Sequence, residues 1–346
     1  MNFTSDNVTP VCDEVMAAIH AANAGTASSY GGDVLTQRLS EVAARVFETK
    51  VAVFPVATGT AANALALSQI APPYGGVYCH ETAHIVTDEC GAPEFFSGGA
   101  KLLGLPAADG RIGAEQLEAA IGFAVDMGVH HVKPAALSLT QATEWGTVYD
   151  PARIRGLSAV ARKAGLPVHM DGARFANAVA HLGCTPAELT WKCGVDVLSF
   201  GATKNGALCA EAVMFFNADL ARDFDRRRKR AGHLWSKMRF VSAQLLACFE
   251  NGLWLRNARN ANQMAARLAD GLSRLAGARL LQTVQANEVF VALPLALVEG
   301  LERAGFGFYR WPLSPVRTGE VPVRLVTSYA TAASDVDALL AAAAAL

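Results

Sequence analysis

Charge of either sign in excess is the first thing this chain lacks. Its 30 Lys and Arg nearly balance 31 Asp and Glu, leaving a formal net charge of −1 over 346 residues and a pI near 6.7. Nothing in that balance favours a polyanionic partner, so nucleic acid is not expected. The one basic run, Arg226–Arg230, sits in mixed-charge helical surroundings and is expected to form a solvated helix face. Paired cysteines are also missing. The seven cysteines are an odd number with no Cys-x-x-Cys spacing, which excludes a disulfide framework and a zinc site alike. They are expected to be reduced core residues of a cytoplasmic protein, and no metal is expected. A membrane span is absent too. Val51–Cys79 carries no charge, but Pro55, Gly59, Asn63, Gln69, Pro72 and Pro73 interrupt it before the ~20 apolar residues a span requires. The N-terminus is polar, without the apolar stretch of a secretory signal. No internal repeat is found.

Apolar residues, by contrast, are plentiful. They make up 52% of the chain, with a mean hydropathy of +0.23, which suits a buried parallel sheet and a substantial subunit interface. The length suggests about two domains. Residues 1–14 look extended. Helices are expected over Val15–Ala24, Leu35–Phe47, Glu115–Val125 and Pro151–Ala164. Strands are expected over Val51–Phe54, Val77–His80, Ala135–Leu139, Leu166–Asp171 and Val195–Phe200. This alternation, from about 50 to 215, predicts an α/β fold with a mostly parallel sheet flanked by helices. Helices dominate 218–275. Beyond about 279, short strands (Glu288–Leu293, Phe306–Trp311, Val323–Thr327) alternate with helices to form a smaller α+β domain. Ser334-x-x-Asp337 reads as the cap of the last helix.

The chain is organised around Val195–Gly206. An apolar strand empties into Gly201, Ala202 and Thr203, small enough to admit a ligand to the backbone, and then presents Lys204 with no other charge until Glu211. A lone lysine is ordinarily a solvated surface charge. At the end of an apolar strand it is instead placed to act as an amine nucleophile toward a carbonyl. A second strand, Leu166-Pro-Val-His-Met-Asp171, ends in an acid. A third segment, Ala57-Thr58-Gly59-Thr60, joins a strand to an Ala/Leu-rich helix and offers free N–H groups to an anion. Alone, that turn is common in α/β folds. Together the three make the set pyridoxal phosphate requires: an amine for its aldehyde, an acid for its ring nitrogen, and a cup for its phosphate. His84 follows a strand end, where ligands of such sheets gather.

Thr58-Gly-Thr-Ala-Ala-Asn63, His169-Met-Asp-Gly-Ala-Arg174 and Ser199-Phe-Gly-Ala-Thr-Lys204 resemble low-specificity L-threonine aldolases, fold-type-I pyridoxal-phosphate enzymes of the β-eliminating lyase superfamily. The resemblance runs from Thr4-Ser-Asp-Asn to Val323-Arg-Leu-Val-Thr327. It implies an enzyme that cleaves β-hydroxy-α-amino acids to glycine and an aldehyde. It also implies an N-terminal segment lining the site (1–14), a large cofactor-binding domain (15–250) and a small C-terminal domain (251–346). By motif, Lys204 would bind the cofactor aldehyde, Asp171 the ring nitrogen, and Gly59 and Thr60 the phosphate. His84 would stack on the ring and take part in proton transfer. Ser5, Arg174 and Arg324 would contact the substrate carboxylate, with Arg174 close to the cofactor as well. Arg239 would reach a neighbouring subunit's phosphate, implying a homo-oligomer with shared sites, a dimer within a tetramer. Two departures bear on stereochemistry at the β-carbon: Thr140-Gln-Ala-Thr143 lacks the family's histidine, and Val326-Thr-Ser328 ends in Ser rather than His. A β-eliminating lyase, an aminotransferase and a non-catalytic cofactor binder share the cofactor residues and are separated by their products.

Overall fold

Strands buried on both faces need no polar alternation, which is why near-continuous apolar runs build the centre of this molecule. The structure, a computed structural model, describes residues 1–312 and 317–346. Its main sheet has seven strands: β1 (Ala52–Val56), β2 (Gly75–His80), β3 (Lys101–Leu105), β4 (Lys133–Thr140), β5 (Val168–Gly172), β6 (Val197–Gly201) and β7 (Glu211–Phe215). They lie in the order β1-β7-β6-β5-β4-β2-β3. Every pairing among β2 to β6 is parallel, and β7 runs antiparallel to both β6 and β1. The expected mostly parallel sheet is present, with β7 as the reversed strand.

Two cores cover this sheet, one on each face. Leu198 and Phe200 of β6 point to one side with Met170, Met214 and Trp254, whereas Val197 joins Val213 and Phe215 on the other. The second face is covered by the helix Gly59–Ile70, buried along nearly its whole length. Its alanines (61, 62, 64 and 66) let it pack closely on several sides, as a helix without a polar face must.

The smaller sheet is antiparallel, β10-β11-β9-β8, formed by β8 (Arg279–Leu280), β9 (Glu288–Pro294), β10 (Tyr309–Arg310) and β11 (Glu320–Val326). It shares a core with the helices Leu253–Ser273, Leu295–Arg303 and Ala333–Ala345, and with Phe3. Phe3 belongs to a segment that ties the molecule together. Its N–H donates to Gly307 O (2.7 Å), its carbonyl accepts from Val326 N–H (2.8 Å), and Cys12 N–H donates to Gly206 O beside the lysine loop (2.9 Å).

Four local expectations are corrected. The strand expected over 306–311 shrinks to Tyr309–Arg310. The last helix starts at Ala333, and Asp335 accepts from Ala332 N–H (2.9 Å), while Asp337 pairs with Arg267 instead. In the basic run, Arg228 is buried, donating to Pro55 O and pairing with Asp225. Of the cysteines, Cys90 is exposed and Cys184 and Cys209 are only half-buried.

Candidate active site

β5 and β6 are parallel neighbours in register, Asp171 opposite Ser199 and Gly172 opposite Phe200, so the acid and the lysine loop emerge at the same sheet edge. Gly201 is required there, because a Cβ would lie 2.7 Å from the backbone of Ala173. Thr203–Asn205 then makes a single 3-10 turn, closed by Gly206 at φ +104°. Asn205 is clamped on both sides of its peptide. Its Nδ2 donates to Trp254 O (2.8 Å) and its carbonyl accepts from Asn257 Nδ2 (2.9 Å). Lys204 is thereby held by its neighbours, leaving its side chain to face the cavity.

At the opposite wall β1 leads into Thr58, whose Oγ1 caps the helix by accepting from Ala61 N–H (3.2 Å). The N–H groups of Gly59 and Thr60 are the first of that helix and have no partner among the described residues. They point the positive end of a twelve-residue helix at the cavity. Glu211, buried on β7 opposite Val56, accepts from Thr203 N–H (3.4 Å). Burial pushes its carboxyl up to about 7. An anion held at the helix end would favour its neutral form.

A chain of polar groups crosses the floor. Asp171 is buried, its Oδ1 accepting from Ala173 N–H (3.0 Å) and its Oδ2 from Asn63 Nδ2 (2.8 Å). The same Nδ2 donates to Glu89 Oε1 (2.8 Å), which also meets His84 Nδ1 (2.8 Å). The bond to Glu89 raises the His84 pKa above its ordinary value, against the opposing effect of burial. With Nδ1 committed to Glu89, Nε2 is the nitrogen left for other work. His84 N–H donates to Glu144 Oε1 (2.7 Å), and burial lifts that carboxyl to about 7. Beneath Asp171, His169 is wedged between Ser138 and Ser199 (2.9 Å to each hydroxyl), and burial lowers it to about 4, so it is neutral.

Toward the small sheet lie the arginines. Arg174 grips Asp6 with Nε and Nη2 (2.8 and 3.1 Å), and its Nη1 lies 3.3 Å from Glu288. Arg324 has its Nη1 3.7 Å from the other oxygen of Glu288 and stacks over Trp311 at 4.3 Å. The resemblance sets both arginines against the substrate carboxylate; in the structure each also lies beside a carboxylate of the chain.

These groups line two joined compartments. The first, about 360 Å³, is lined by Gly59, Thr60, His84, Asp171, Arg174 and Lys204, among others. The second, about 690 Å³, adds Ser5, Trp145, Glu288, Trp311 and Arg324, and shares His84, Glu144, Arg174 and Lys204 with the first. Both volumes fall within the range of small-molecule sites. Ser5 Oγ also accepts from Asn7 N–H (3.1 Å). Arg239 lines neither compartment; it donates to Gly25 O (3.2 Å).

Residues 2–294 match the beta-eliminating lyase family. The chain is 47% identical to the low specificity L-threonine aldolase of Pseudomonas sp. strain NCIMB 10558, covering 89% of this chain and 88% of that protein. It is 46% identical to the low specificity L-threonine aldolase of Pseudomonas aeruginosa, covering 95% and 93%. The chain belongs to this aldolase family. Its fold is similar to that of Leishmania major threonine aldolase, with a TM-score of 0.92 at 26% identity over 99% of this chain and 98% of that one. It is therefore the fold of the fold-type-I pyridoxal-phosphate enzymes. Pyridoxal phosphate fits the aldolase-family site on the chain's own terms: two unpaired helix N–H groups, a buried acid held at both oxygens and a clamped lysine bound one cavity.

Sequence reasoning missed Glu89, Glu144 and Glu288. Each is an acid in a loop or at a strand end, where charge is ordinarily solvated. For Glu144 a signal existed, its place just past the end of β4 at the edge where ligands bind.

Proposed function

We propose that the protein is a pyridoxal-phosphate-dependent aldolase, cleaving L-threonine, L-allo-threonine and related β-hydroxy-α-amino acids such as phenylserine to glycine and an aldehyde. The observation that carries this reading is the convergence of Lys204, Asp171 and the Gly59–Thr60 helix end on one cavity that opens directly onto two arginines. Bound there, pyridoxal phosphate supplies a protonated aromatic ring that accepts the electron pair left at Cα. The rest is the work of the chain. Lys204 would provide the amine that holds the aldehyde. Asp171, fixed by Asn63 and the Ala173 N–H, keeps the ring nitrogen protonated. Gly59 and Thr60 N–H groups hold the phosphate.

Arg174 and Arg324, with Ser5 nearby, take the substrate carboxylate. Fixing that end would set the orientation of the Cα–Cβ bond, and orientation would select the bond that breaks. His84 stacks over the ring, and its Nε2 takes the β-hydroxyl proton; Glu89 orients the imidazole through Nδ1 as an acid orients a catalytic histidine. Arg239, outside this chain's own cavity, serves the phosphate of a neighbouring copy, so the working form is a homo-oligomer, a dimer or a pair of dimers. Among the described residues no helix is long and apolar enough to cross a membrane, and the cysteine usage suits the cytoplasm.

The deciding experiment supplies holoenzyme with L-threonine, L-allo-threonine and L-phenylserine and quantifies products. Glycine and the matching aldehyde in equal amounts are expected, with no keto-acid acceptor needed. Ammonia with a keto acid, or product formation only with an added keto acid, would replace this reading by a β-eliminating lyase or an aminotransferase.

A further inference from the structure

Glu288 opens β9 and is 1% exposed. Neither of its oxygens has a hydrogen-bond partner among the described residues. A buried carboxylate ordinarily gathers several donors, because its desolvation is otherwise uncompensated. Glu288 instead lies between two guanidinium groups at ion-pair distance, 3.3 Å from Arg174 Nη1 and 3.7 Å from Arg324 Nη1, without a hydrogen bond to either. The wall behind it is backbone: a Cβ on Gly146 would lie 3.2 Å from the Glu288 Cβ and carbonyl oxygen. Its side chain has no room to retreat that way.

The charges facing Glu288 are Arg174, Arg324, Asp6 and Lys204. Arg174 is already neutralised by its two bonds to Asp6. A substrate carboxylate arriving at these arginines therefore becomes the third carboxylate against two guanidinium groups. Two carboxylates sharing one buried seat cannot both remain ionised, and the cheapest solution is one shared proton. We propose that Glu288 receives the substrate carboxylate as a neutral acid, taking up one proton from solvent as the amino acid enters and releasing it as glycine leaves. In that form its O–H donates to the incoming carboxylate, which gives one of its two unpartnered oxygens a hydrogen-bond partner. The proton count closes over a turnover, and no bond to carbon is involved. Burial already pushes the Glu288 carboxyl up, against the pull of both arginines. The inference rests on the proposed seating of the substrate carboxylate at Arg174 and Arg324.

Glycine tests this without cleavage, since it has no β-carbon to lose. The dissociation constant of glycine from holoenzyme is measured between pH 6 and 9, by calorimetry or the cofactor absorbance, for wild type, Glu288→Gln and Glu288→Asp. Amine titration and cofactor titration are common to all three and cancel in ratios. The wild-type to Glu288→Gln ratio is expected to rise toward tenfold per pH unit, the signature of one proton. The wild-type to Glu288→Asp ratio is expected to stay flat, because aspartate keeps the charge. Calorimetry in buffers of different ionisation heat should show about one more proton taken up per glycine by wild type than by Glu288→Gln. A pH-independent wild-type to Glu288→Gln ratio overturns the proposal. So does a folded, cofactor-loaded Glu288→Gln enzyme that binds no glycine at any pH, since Glu288 is then only a counter-ion. Wild-type holoenzyme that fails to bind glycine removes the carboxylate seat itself, and a product assay that still yields glycine and aldehyde would show that the function reading survives that loss.

Discussion

Lys204→Ala is expected to abolish turnover, because among the described residues no other amine lines the first compartment. Borohydride reduction of wild-type holoenzyme should fix the cofactor on Lys204, and recovery of the adduct on Lys192 or Lys237 would refute the assignment. For His84 the measurable quantity is its own titration. The bond from Glu89 raises it, so Glu89→Gln should lower the His84 pKa, followed by NMR of the imidazole. His84→Phe keeps a flat ring over the cavity but loses the base, and turnover should fall ~10²-fold with cofactor still bound. Near-normal turnover in His84→Phe would leave the residue a purely stacking role.

At the scale of elements, the acid response of the fold should pass through Asp6. Burial alone would raise its carboxyl, but the charges of Arg174 and Lys204, with bonds from Arg174 and Asn287, hold it below the usual aspartate range. A carboxyl lowered on folding adds stability above its unfolded value and loses it as pH falls through the folded one. Asp6→Asn should therefore flatten the acid limb of stability measured by denaturant unfolding. It should also cost ~3–5 kcal/mol at neutral pH, because Arg174 is left buried without its bidentate partner. An unchanged acid limb would place the acid sensitivity elsewhere. Most elements were legible in the sequence: the helix expected at Leu35–Phe47 spans Val34–Phe47, and that expected at Pro151–Ala164 spans Pro151–Lys163. Period and caps carry that information locally. The reversal of β7 was not legible, because an apolar run looks the same in either direction. Asp171 and Lys204 could be found because each ends an apolar strand. Glu288 could not, since its meaning depends on two arginines more than thirty positions away, Arg174 and Arg324.

For the whole molecule, the prediction concerns shared sites. Arg239 lines neither compartment of its own chain, and on the proposed shared arrangement a complete site would take Lys204 from one chain and Arg239 from another. Sedimentation should show at least a dimer. Neither Lys204→Ala nor Arg239→Ala should be fully active alone, but unfolding and refolding them together should restore sites in which both residues are native. Recovery near a quarter of wild-type activity is the random-pairing expectation for a dimer. No gain over the Arg239→Ala parent would confine Arg239 to its own chain.

The segment that carries Phe3 and Asp6 imposes an order on biosynthesis. Met1 N donates to Gly305 O (3.3 Å) across 304 positions of sequence, and the Phe3 carbonyl waits for Val326. At ~5–20 residues per second, these partners leave the ribosome roughly 15–60 s after the segment does. The large sheet has all its strands by Phe215 and can close its two cores during that interval. The substrate's seat cannot. Until the small sheet exists, Asp6 has no Asn287 beside it, Glu288 has not been made, and Arg174 lacks the company that tunes it. The residues of this chain that would cradle a cofactor are thus made well before those that would seat an amino acid, so the amino-acid seat is the later of the two to be completed.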